Sequence, residues 1–388
     1  MTPDPPCVRV LTHPAGGHER TQQAGGVGRR PLASSSMPMH VATDSTLDVP
    51  DDLPAGVAVL VDELAAEAHR LETEGVTADD VRRMSAAGLL ATYGPPELGG
   101  VSGPAQRRVA ELLAGASPDA WFVWYQHGPV VRFLAASENE PLKARWLPEL
   151  CSGRALGGVA WSNLRTARPT VFAERVDGGW ELSGPQPWCT GWGMHDALFV
   201  GGKDEAAGEV VFGVVPADRP GLVGLGELQL ASMAGTSTHA VRYERLLLRD
   251  DEVVLRKDFG TWAAADAVMN RNVQPSTFGI ALAALDLLEP ASPSTAAALR
   301  ERVLDVRTRA YRLMDEVDVA EAGDERLALR ASALLLGIEC CTALLASRGG
   351  RGMGLADPAQ RLLRAAAFQL VHAQAAHIRE ATLSALSA

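Results

Sequence analysis

The spacing of apolar residues changes twice along the chain and predicts three consecutive regions. From about residue 52 apolar residues recur at helical spacing, as in Leu60, Leu64, Ala68 and Leu71, with charged side chains between them. From Cys151 the pattern becomes short apolar runs separated by Gly, Pro and Asp, which is typical of strands. Helical spacing returns after about residue 251. This order favours a mostly helical α+β protein with a small sheet or barrel in the middle.

The same pattern predicts the individual elements. The predicted helices span residues 78–86, 106–114, 120–135, 142–146, 261–269, 277–288, 295–317, 325–346 and 358–386. The predicted strands span residues 171–176, 180–183, 197–200, 210–215 and 239–247. Thr77 is expected to cap the helix that begins at Ala78, with Asp79 and Asp80 in its first turn.

The pattern divides the chain into an N-terminal helical domain over residues 49–150, a middle β domain over 151–255 and a C-terminal helical bundle over 256–388. Residues 1–48 are rich in Pro, Gly and Ser, and they lack both apolar periodicity and the apolar stretch of a signal peptide. We expect them to be a disordered extension, or an upstream part of the reading frame with the true start near Met37 or Met39.

The segment 327–346 is apolar nearly all round, which predicts burial within the bundle or at a subunit interface and therefore a homo-oligomer. We expect no membrane association, because no uninterrupted apolar run looks long enough to span a bilayer.

Composition narrows the function classes. The net charge of −11 argues against a nucleic-acid-binding protein, which needs a basic face. The five cysteines are odd in number and scattered, and no Cys/His cluster has metal-ligand spacing. We therefore expect reduced thiols, a cytoplasmic location, no metal site and a small-molecule substrate.

The most informative segment runs from Gly184 to Gly193 and contains Trp188 and Thr190. In an extended stretch, residues two apart share one face, so both side chains can contact the same ligand. A flavin ring needs such a pair: an indole to pack against it and a hydrogen-bond donor at its reactive nitrogen. The alternative interpretation is a buried tryptophan followed by a Gly-rich turn.

Five motifs in this order resemble the acyl-CoA dehydrogenase superfamily over nearly all of the chain after residue 48. They are the Pro-Pro-Glu-Leu-Gly-Gly turn at 95–100, Trp-Leu-Pro-Glu-Leu-Cys-Ser-Gly at 146–153, Trp-Cys-Thr at 188–190, Ser-Met-Ala-Gly-Thr-Ser-Thr at 232–238, and Gly-Gly-Arg-Gly at 349–352 followed by Arg361 and Arg364. The resemblance implies an N-terminal helical domain, a middle β-barrel-like domain and a C-terminal four-helix bundle.

The resemblance also implies a cofactor, a substrate class and an assembly. FAD would lie between the β domain and the bundle of a homodimer or homotetramer, with FMN or reduced flavin supplied in trans as alternatives. Trp188, Thr190 and Ser162 would contact the flavin ring, and Gly349 and Gly350 would meet the cofactor's far end. Ser237 would lie near the substrate, an acyl-CoA or acyl-carrier-protein thioester or a comparable small molecule. The alternative for the two glycines is a plain helix C-cap.

Three departures from the family pattern bear on the reaction. Ala373 occupies the usual position of the catalytic glutamate, and the alternative position at 268–271 carries no carboxylate. The segment that holds the pyrophosphate is missing, although Arg307, Arg309 and Arg312 could substitute for it or simply form a solvated helix face. The loop before the β domain is shortened at residues 160–163.

Two histidines then become candidate catalytic residues. Flavin monooxygenases of this fold place histidines on an early helix and near the last helix, where this chain has His127 and His372. A histidine titrating near neutrality could shuttle a proton; the alternative is a hydrogen-bonded core or surface residue. The sequence thus predicts a flavin-dependent oxidoreductase of the acyl-CoA dehydrogenase type, with a reduced-flavin monooxygenase and a non-catalytic oligomeric subunit as alternatives.

Overall fold

The computed structural model describes residues 49–166 and 168–387, so the prediction for residues 1–48 lies outside the described residues. Six helices come first: α1 Val57–Ala66, α2 Ala68–Thr73, α3 Ala78–Ala86, α4 Gly103–Ala116, α5 Pro118–Ala135 and α6 Glu140–Cys151. The predicted cap of α3 is confirmed, because the Thr77 side chain and the Asp80 carboxylate bond each other's backbone N–H groups in a capping box.

Eight strands follow and form one mixed sheet. They are β1 Gly157–Ala160, β2 Phe172–Val176, β3 Gly179–Cys189, β4 Ala197–Asp204, β5 Glu209–Pro216, β6 Leu222–Glu227, β7 His239–Arg249 and β8 Val253–Asp258. The strand order is β6-β7-β3-β2-β4-β5-β8, and β1 pairs in parallel with β4. Between Gln186 and Cys189 the β3–β7 register shifts, which marks an irregularity just where Trp188 lies.

Six helices complete the chain: α7 Phe259–Met269, α8 Pro275–Leu288, α9 Pro293–Glu316, α10 Gly323–Arg348, α11 Pro358–Gln369 and α12 Ala376–Leu386. The single helix predicted over 358–386 is wrong, because residues 370–375 separate α11 from α12. Ala373 there has a left-handed φ of 48°, which no helix interior can accommodate.

Helix α10 lies at the centre of the bundle and contacts α8, α9, α11 and α12. Among the described residues, Gly323–Met353 is one helical stretch whose length and composition would suffice to cross a membrane, although Arg330 and Glu339 interrupt its apolar residues. Of its apolar window, 56% is buried inside the protein, and the absence of membrane association stays a prediction. Packing against four helices of the same chain accounts for this apolar composition. Association with another copy stays a prediction.

The N-terminal helices and the bundle share one hydrophobic core, and two further cores lie against the sheet. Helices α4 and α8 meet backbone to backbone, since a Cβ on Gly279 would lie 2.0 Å from the Glu111 carbonyl oxygen. The structure has the mostly helical α+β architecture that the sequence predicts.

Candidate functional site

A polar network built on Gln186 joins the end of β3 to the short helical turn Ser162–Arg165. Gln186 is fully buried, and its Nε2 donates to Ser162 Oγ at 2.7 Å and to the Trp188 carbonyl at 2.6 Å. Its Oε1 accepts from the backbone N–H and the side-chain amide of Asn163, at 3.2 and 3.0 Å. Both polar atoms of the Gln186 side chain are therefore committed: Nε2 holds Ser162 and the Trp188 backbone, and Oε1 holds Asn163.

Trp188 and Thr190, which were predicted to share a face, differ in their surroundings. The Trp188 side chain is 43% exposed, whereas Thr190 is 3% exposed and its Oγ1 lies 2.9 Å from Thr238 Oγ1. The strand ends at Cys189 after the register shift, so the regular alternation assumed by the prediction is interrupted. The exposed Trp188 indole suits one face of a flavin ring, and Gln186 ties the Trp188 backbone to the half-buried Ser162 hydroxyl. That hydroxyl accepts from Gln186 and keeps its own hydrogen to donate.

His372 lies in the segment between α11 and α12, inside a cage of four aromatic rings. Its ring centroid is 5.6 Å from Trp121, 5.3 Å from Phe122, 5.2 Å from Tyr125 and 5.4 Å from Phe368. The ring is half-buried, and its Nδ1 is enclosed and has no hydrogen-bond partner among the described residues.

Burial, followed by the positive charges of Arg330 and Arg165, lowers the pKa of His372 to about 3. The ring is therefore neutral at pH 7, which differs from the titration near neutrality expected from the sequence. A neutral imidazole with an unpartnered nitrogen is suited to hydrogen-bond a ligand rather than to carry a resident positive charge.

Arg330 of α10 joins the two segments where family members carry their catalytic base. Its guanidinium is 2% exposed and donates to the backbone carbonyls of Asn270, Asn272 and His372, the last two at 3.0 and 3.2 Å. Burial lowers the pKa of Arg330 to about 10, so it still carries a charge at pH 7. The sequence analysis missed this residue, although an arginine inside the otherwise apolar 327–346 segment was a usable signal.

The two base positions themselves hold no carboxylate. Ala373 takes the usual position, and Asn270 at the end of α7 donates its side-chain amide to Asp266 Oδ2 at 2.8 Å. Asp266, one helical turn earlier, accepts two parallel hydrogen bonds from Arg165 at 2.8 and 2.9 Å. Because its charge is matched by that guanidinium, Asp266 is not a free base.

His127 has a different kind of environment. It is 1% exposed; its Nδ1 accepts from the Gly157 N–H at 3.0 Å, so Nε2 carries the hydrogen and donates to the Leu90 carbonyl at 3.1 Å. Burial lowers its pKa to about 4, so the ring is neutral at pH 7. Through these two hydrogen bonds His127 connects α5 to the backbone of β1 and of the turn at 89–91. This favours the alternative interpretation of a core residue.

The remaining predicted residues have separate places. Ser237 has a left-handed φ of 47°, and its hydroxyl donates to the Trp192 carbonyl at 3.1 Å, so it fixes the loop after Thr190. Gly349 ends α10 at φ 56°, a conformation that favours glycine. A Cβ on Gly349 or Gly350 would meet nothing within 4 Å, so the structure provides open space there, and their contact with a cofactor stays a prediction.

Two of the three arginines suggested for the pyrophosphate, Arg307 and Arg309, have partners within the chain. Arg307 donates to both oxygens of Glu111 at 2.6 and 3.1 Å, and Glu111 is 1% exposed. Arg309 lies 3.6 Å from both Asp305 and Glu325. Glu111 also accepts from the Tyr311 hydroxyl at 2.6 Å and lies 3.2 Å from Arg108, so Arg307 is part of a buried network and is a poor phosphate ligand. The described residues thus fit a flavin ring better than they fit the diphosphate of a tightly held FAD.

The chain matches known proteins in its N-terminal region and in its fold. Residues 57–154 match the family "Acyl-CoA dehydrogenase, N-terminal domain". A 2-methylacyl-CoA dehydrogenase of Solanum tuberosum is 27% identical over 157 residues, which are 38% of each chain, so this match spans well under two thirds of that enzyme. An L-evernosamine nitrososynthase of Micromonospora is 29% identical over 294 residues, covering 69% of this chain and 68% of that protein.

The overall architecture is also that of a solved structure. Butyryl-CoA dehydrogenase of Megasphaera elsdenii superimposes with a TM-score of 0.74 at 16% identity, covering 88% of this chain and all of that one. At this identity the similarity concerns the fold alone. The five ordered motifs, the match of residues 57–154 to the acyl-CoA dehydrogenase N-terminal-domain family and the shared fold agree in making this chain similar to acyl-CoA dehydrogenases.

Proposed function

We propose that this protein is a flavin-dependent monooxygenase that takes up reduced flavin and molecular oxygen and oxygenates a heteroatom of a small molecule. The observation that carries the proposal is the composition of the two base positions. Ala373 and Asn270 cannot remove a carbon-bound proton, and Asp266 is held by Arg165. Dehydrogenation beside a thioester needs such a base, whose loss costs roughly 10²–10⁴-fold in rate.

The proposed binding mode of the cofactor depends on which side chains are not already bonded within the protein. Trp188 would pack against the flavin ring, and Ser162, oriented by Gln186, would donate a hydrogen bond to it. Arg307 is committed to Glu111, which favours weak retention of FAD and delivery of reduced FAD or FMN by a separate reductase. Bound reduced flavin would supply the two electrons that convert dioxygen into one substrate oxygen atom and one water.

His372 and Arg330 define the polar end of the proposed reaction space. The unpartnered Nδ1 of the neutral His372 ring would hydrogen-bond the reacting oxygen or the substrate heteroatom. Arg330 keeps the His372 backbone in position through its carbonyl and adds a buried positive charge that would stabilise a developing oxyanion. Exclusion of water by the surrounding aromatic rings strengthens both interactions.

An amine is the substrate class to test first. The match to the nitrososynthase covers 69% of this chain, and the name of that protein indicates oxidation at the nitrogen of an amino compound. Oxidation of an acyl-thioester is the second candidate, which the N-terminal family match and the acyl-CoA dehydrogenase relative favour.

The two candidates separate in one pair of experiments on the full chain. For oxygenation, reduced FAD or FMN is generated by an added reductase, amines are supplied under ¹⁸O₂, and product mass is followed; one ¹⁸O per oxygenation supports the proposal. For dehydrogenation, FAD-loaded protein is mixed anaerobically with branched and straight-chain acyl-CoAs. Rapid bleaching of the flavin by an acyl-CoA, without oxygen incorporation in the first experiment, would overturn the monooxygenase proposal in favour of the second candidate.

A further inference from the structure

Three buried threonine hydroxyls form a continuous chain beside the end of β3. Thr190 Oγ1 lies 2.9 Å from Thr238 Oγ1, and Thr238 Oγ1 lies 2.7 Å from Thr236 Oγ1. Thr236 Oγ1 in turn lies 2.7 Å from the carbonyl oxygen of Met233. The three threonines are at most 3% exposed, so water does not compete for these contacts.

The carbonyl at one end sets the direction of every hydrogen bond in this chain. A carbonyl can only accept, so the single hydroxyl hydrogen of Thr236 is donated to Met233. Thr236 must then accept from Thr238, and Thr238, with its hydrogen used, must accept from Thr190. The Thr190 hydroxyl has therefore given up its only hydrogen and can offer a ligand nothing but lone pairs.

The surrounding backbone keeps this arrangement in place. The Gly191 N–H donates to the Thr236 carbonyl at 2.9 Å, and the Trp192 N–H donates to the Ser237 carbonyl at 3.0 Å. Met233 and Ser237 both have left-handed φ angles, 58° and 47°. Threonine side chains are stiff at χ1, so the hydroxyls cannot rotate to a new partner without disturbing this turn.

We propose that the threonine chain makes Thr190 an obligate hydrogen-bond acceptor toward the flavin, so that the site binds reduced flavin in preference to oxidised flavin. The inference rests on the proposed function, in which a flavin ring lies against Trp188, and it adds a contact between that ring and Thr190, two residues further along the chain. The reactive N5 of an oxidised flavin is a bare acceptor, whereas N5 of a reduced flavin carries a hydrogen to donate. Thr190 can pair with the second form only. The donor role predicted from the sequence for Thr190 is replaced by an acceptor role.

The preference has a functional consequence for a two-component system. A protein that receives reduced flavin from a reductase and must release the oxidised product gains turnover if the oxidised form binds less tightly. The threonine chain would supply this discrimination without any charged residue, because an acceptor facing an acceptor leaves a buried nitrogen unsatisfied.

The test compares wild type with Thr238→Val, which has nearly the same shape but frees the hydrogen of Thr190. Dissociation constants for oxidised FAD and FMN are measured by fluorescence, and those for the dithionite-reduced flavins are measured anaerobically. We expect the ratio of oxidised to reduced dissociation constants to fall roughly three- to tenfold in the variant, the value of one neutral hydrogen bond. The midpoint potential of the bound flavin should fall by about 15–30 mV, as that change in ratio requires for two electrons.

Two further variants keep the result specific. Thr238→Ser retains the hydroxyl and should keep the wild-type ratio, and Thr236→Val should change the ratio in the same direction as Thr238→Val. Thr92→Val removes another buried threonine hydroxyl, which donates to the Leu89 carbonyl, and serves as the matched control for stability.

The outcomes separate this inference from the proposed function. If flavins bind but Thr238→Val leaves the ratio and the potential at their wild-type values, the inference is wrong while the proposed function survives. If neither redox form of FAD or FMN binds wild type, both fail together. A lowered ratio in Thr238→Val with a normal ratio in Thr238→Ser supports the inference.

Discussion

His127 and His372 are alike in their lowered pKa values and opposite in hydrogen bonding. Burial holds both rings neutral at pH 7, with pKa values lowered to about 4 and about 3. Yet both nitrogens of His127 bond backbone groups, whereas Nδ1 of His372 has no partner among the described residues. A lowered pKa therefore does not distinguish a structural histidine from a functional one. Hydrogen-bond satisfaction separates these two histidines, because an unpaired buried nitrogen is costly unless a ligand uses it. His195 shares the lowered pKa, at about 4, and both of its ring nitrogens lack a partner among the described residues.

The largest effect that would break this comparison concerns activity. We expect His372→Ala to lower oxygenation roughly 10²–10³-fold, the usual effect of deleting one positioned hydrogen-bonding group at a reacting oxygen. The measurement is turnover of the responsive substrate with reductase-supplied flavin. The neighbouring Val371→Ala, which alters an exposed side chain in the same segment, should stay near wild type. Full activity in His372→Ala would remove His372 from the reaction space.

The second prediction concerns stability, which should depend more on His127 than on His372. His127→Ala leaves the buried Gly157 N–H and Leu90 carbonyl without partners, which should lower the free energy of unfolding by about 3 kcal/mol. His372→Ala leaves no backbone group unpaired and should cost less. Urea denaturation of both variants measures the difference. Equal losses in the two variants would mean that hydrogen-bond satisfaction does not separate these sites.

The third prediction concerns the pH dependence of stability, which follows from the lowered pKa values that the two histidines share. The folded pKa values lie below the ordinary value of 6.5, so between about pH 4 and 6.5 the unfolded chain binds more protons than the folded one. The free energy of unfolding should therefore fall as the pH drops through this window, by about 1.4 kcal/mol per pH unit for each histidine. Above pH 6.5 the two histidines should no longer make the free energy of unfolding depend on pH.

Substituting His127 by Gln keeps a polar side chain but removes its titration. The slope of the unfolding free energy with pH should then decrease by the equivalent of one bound proton. Asp119 acts in the opposite sense, because burial raises its pKa from 3.8 to about 7 and its folded carboxyl stays protonated between these values. Unfolding free energies at pH 5 and 7 for wild type and His127→Gln give the proton count directly. An unchanged slope in the variant would show that the His127 ring is not held neutral in the folded protein.

The prediction with the smallest expected effect tests whether the flavin ring packs against the exposed indole of Trp188. Trp188→Ala should weaken reduced-flavin binding roughly three- to tenfold through lost ring contact. Phe172→Ala is a matched control, because Phe172 is 42% exposed against 43% for Trp188 and lies on β2. Anaerobic titration measures both. Similar losses in the two variants would place the flavin elsewhere on the sheet.

Local patterns predicted much of the fold because they depend on neighbouring residues. The bounds of α3, its capping box at Thr77 and the order of helices and strands follow from periodicity and propensity within short windows. Among the missed strands, β1 lacks that signal, because it is only Gly-Gly-Val-Ala. The His195 ring packs so closely on Gly158 that a Cβ there would lie 2.3 Å from it. The strand predicted over 180–183 was too short, because the proline-containing continuation of β3 up to Cys189 also pairs with β7.

The sequence by itself determined the resemblance to acyl-CoA dehydrogenases, the three-part order of elements and the absence of a carboxylate at residues 268–271 and 373. Only the tertiary structure decided that His127 is saturated, that His372 is not, and that Thr190 has already donated its hydrogen. The physical reason is distance along the chain. The partners of Arg330 lie 42, 58 and 60 residues away, and Thr190 meets Thr238 across 48 residues, so no local pattern encodes these contacts. They exist because packing of the helices and pairing of β3 with β7 bring those backbones together.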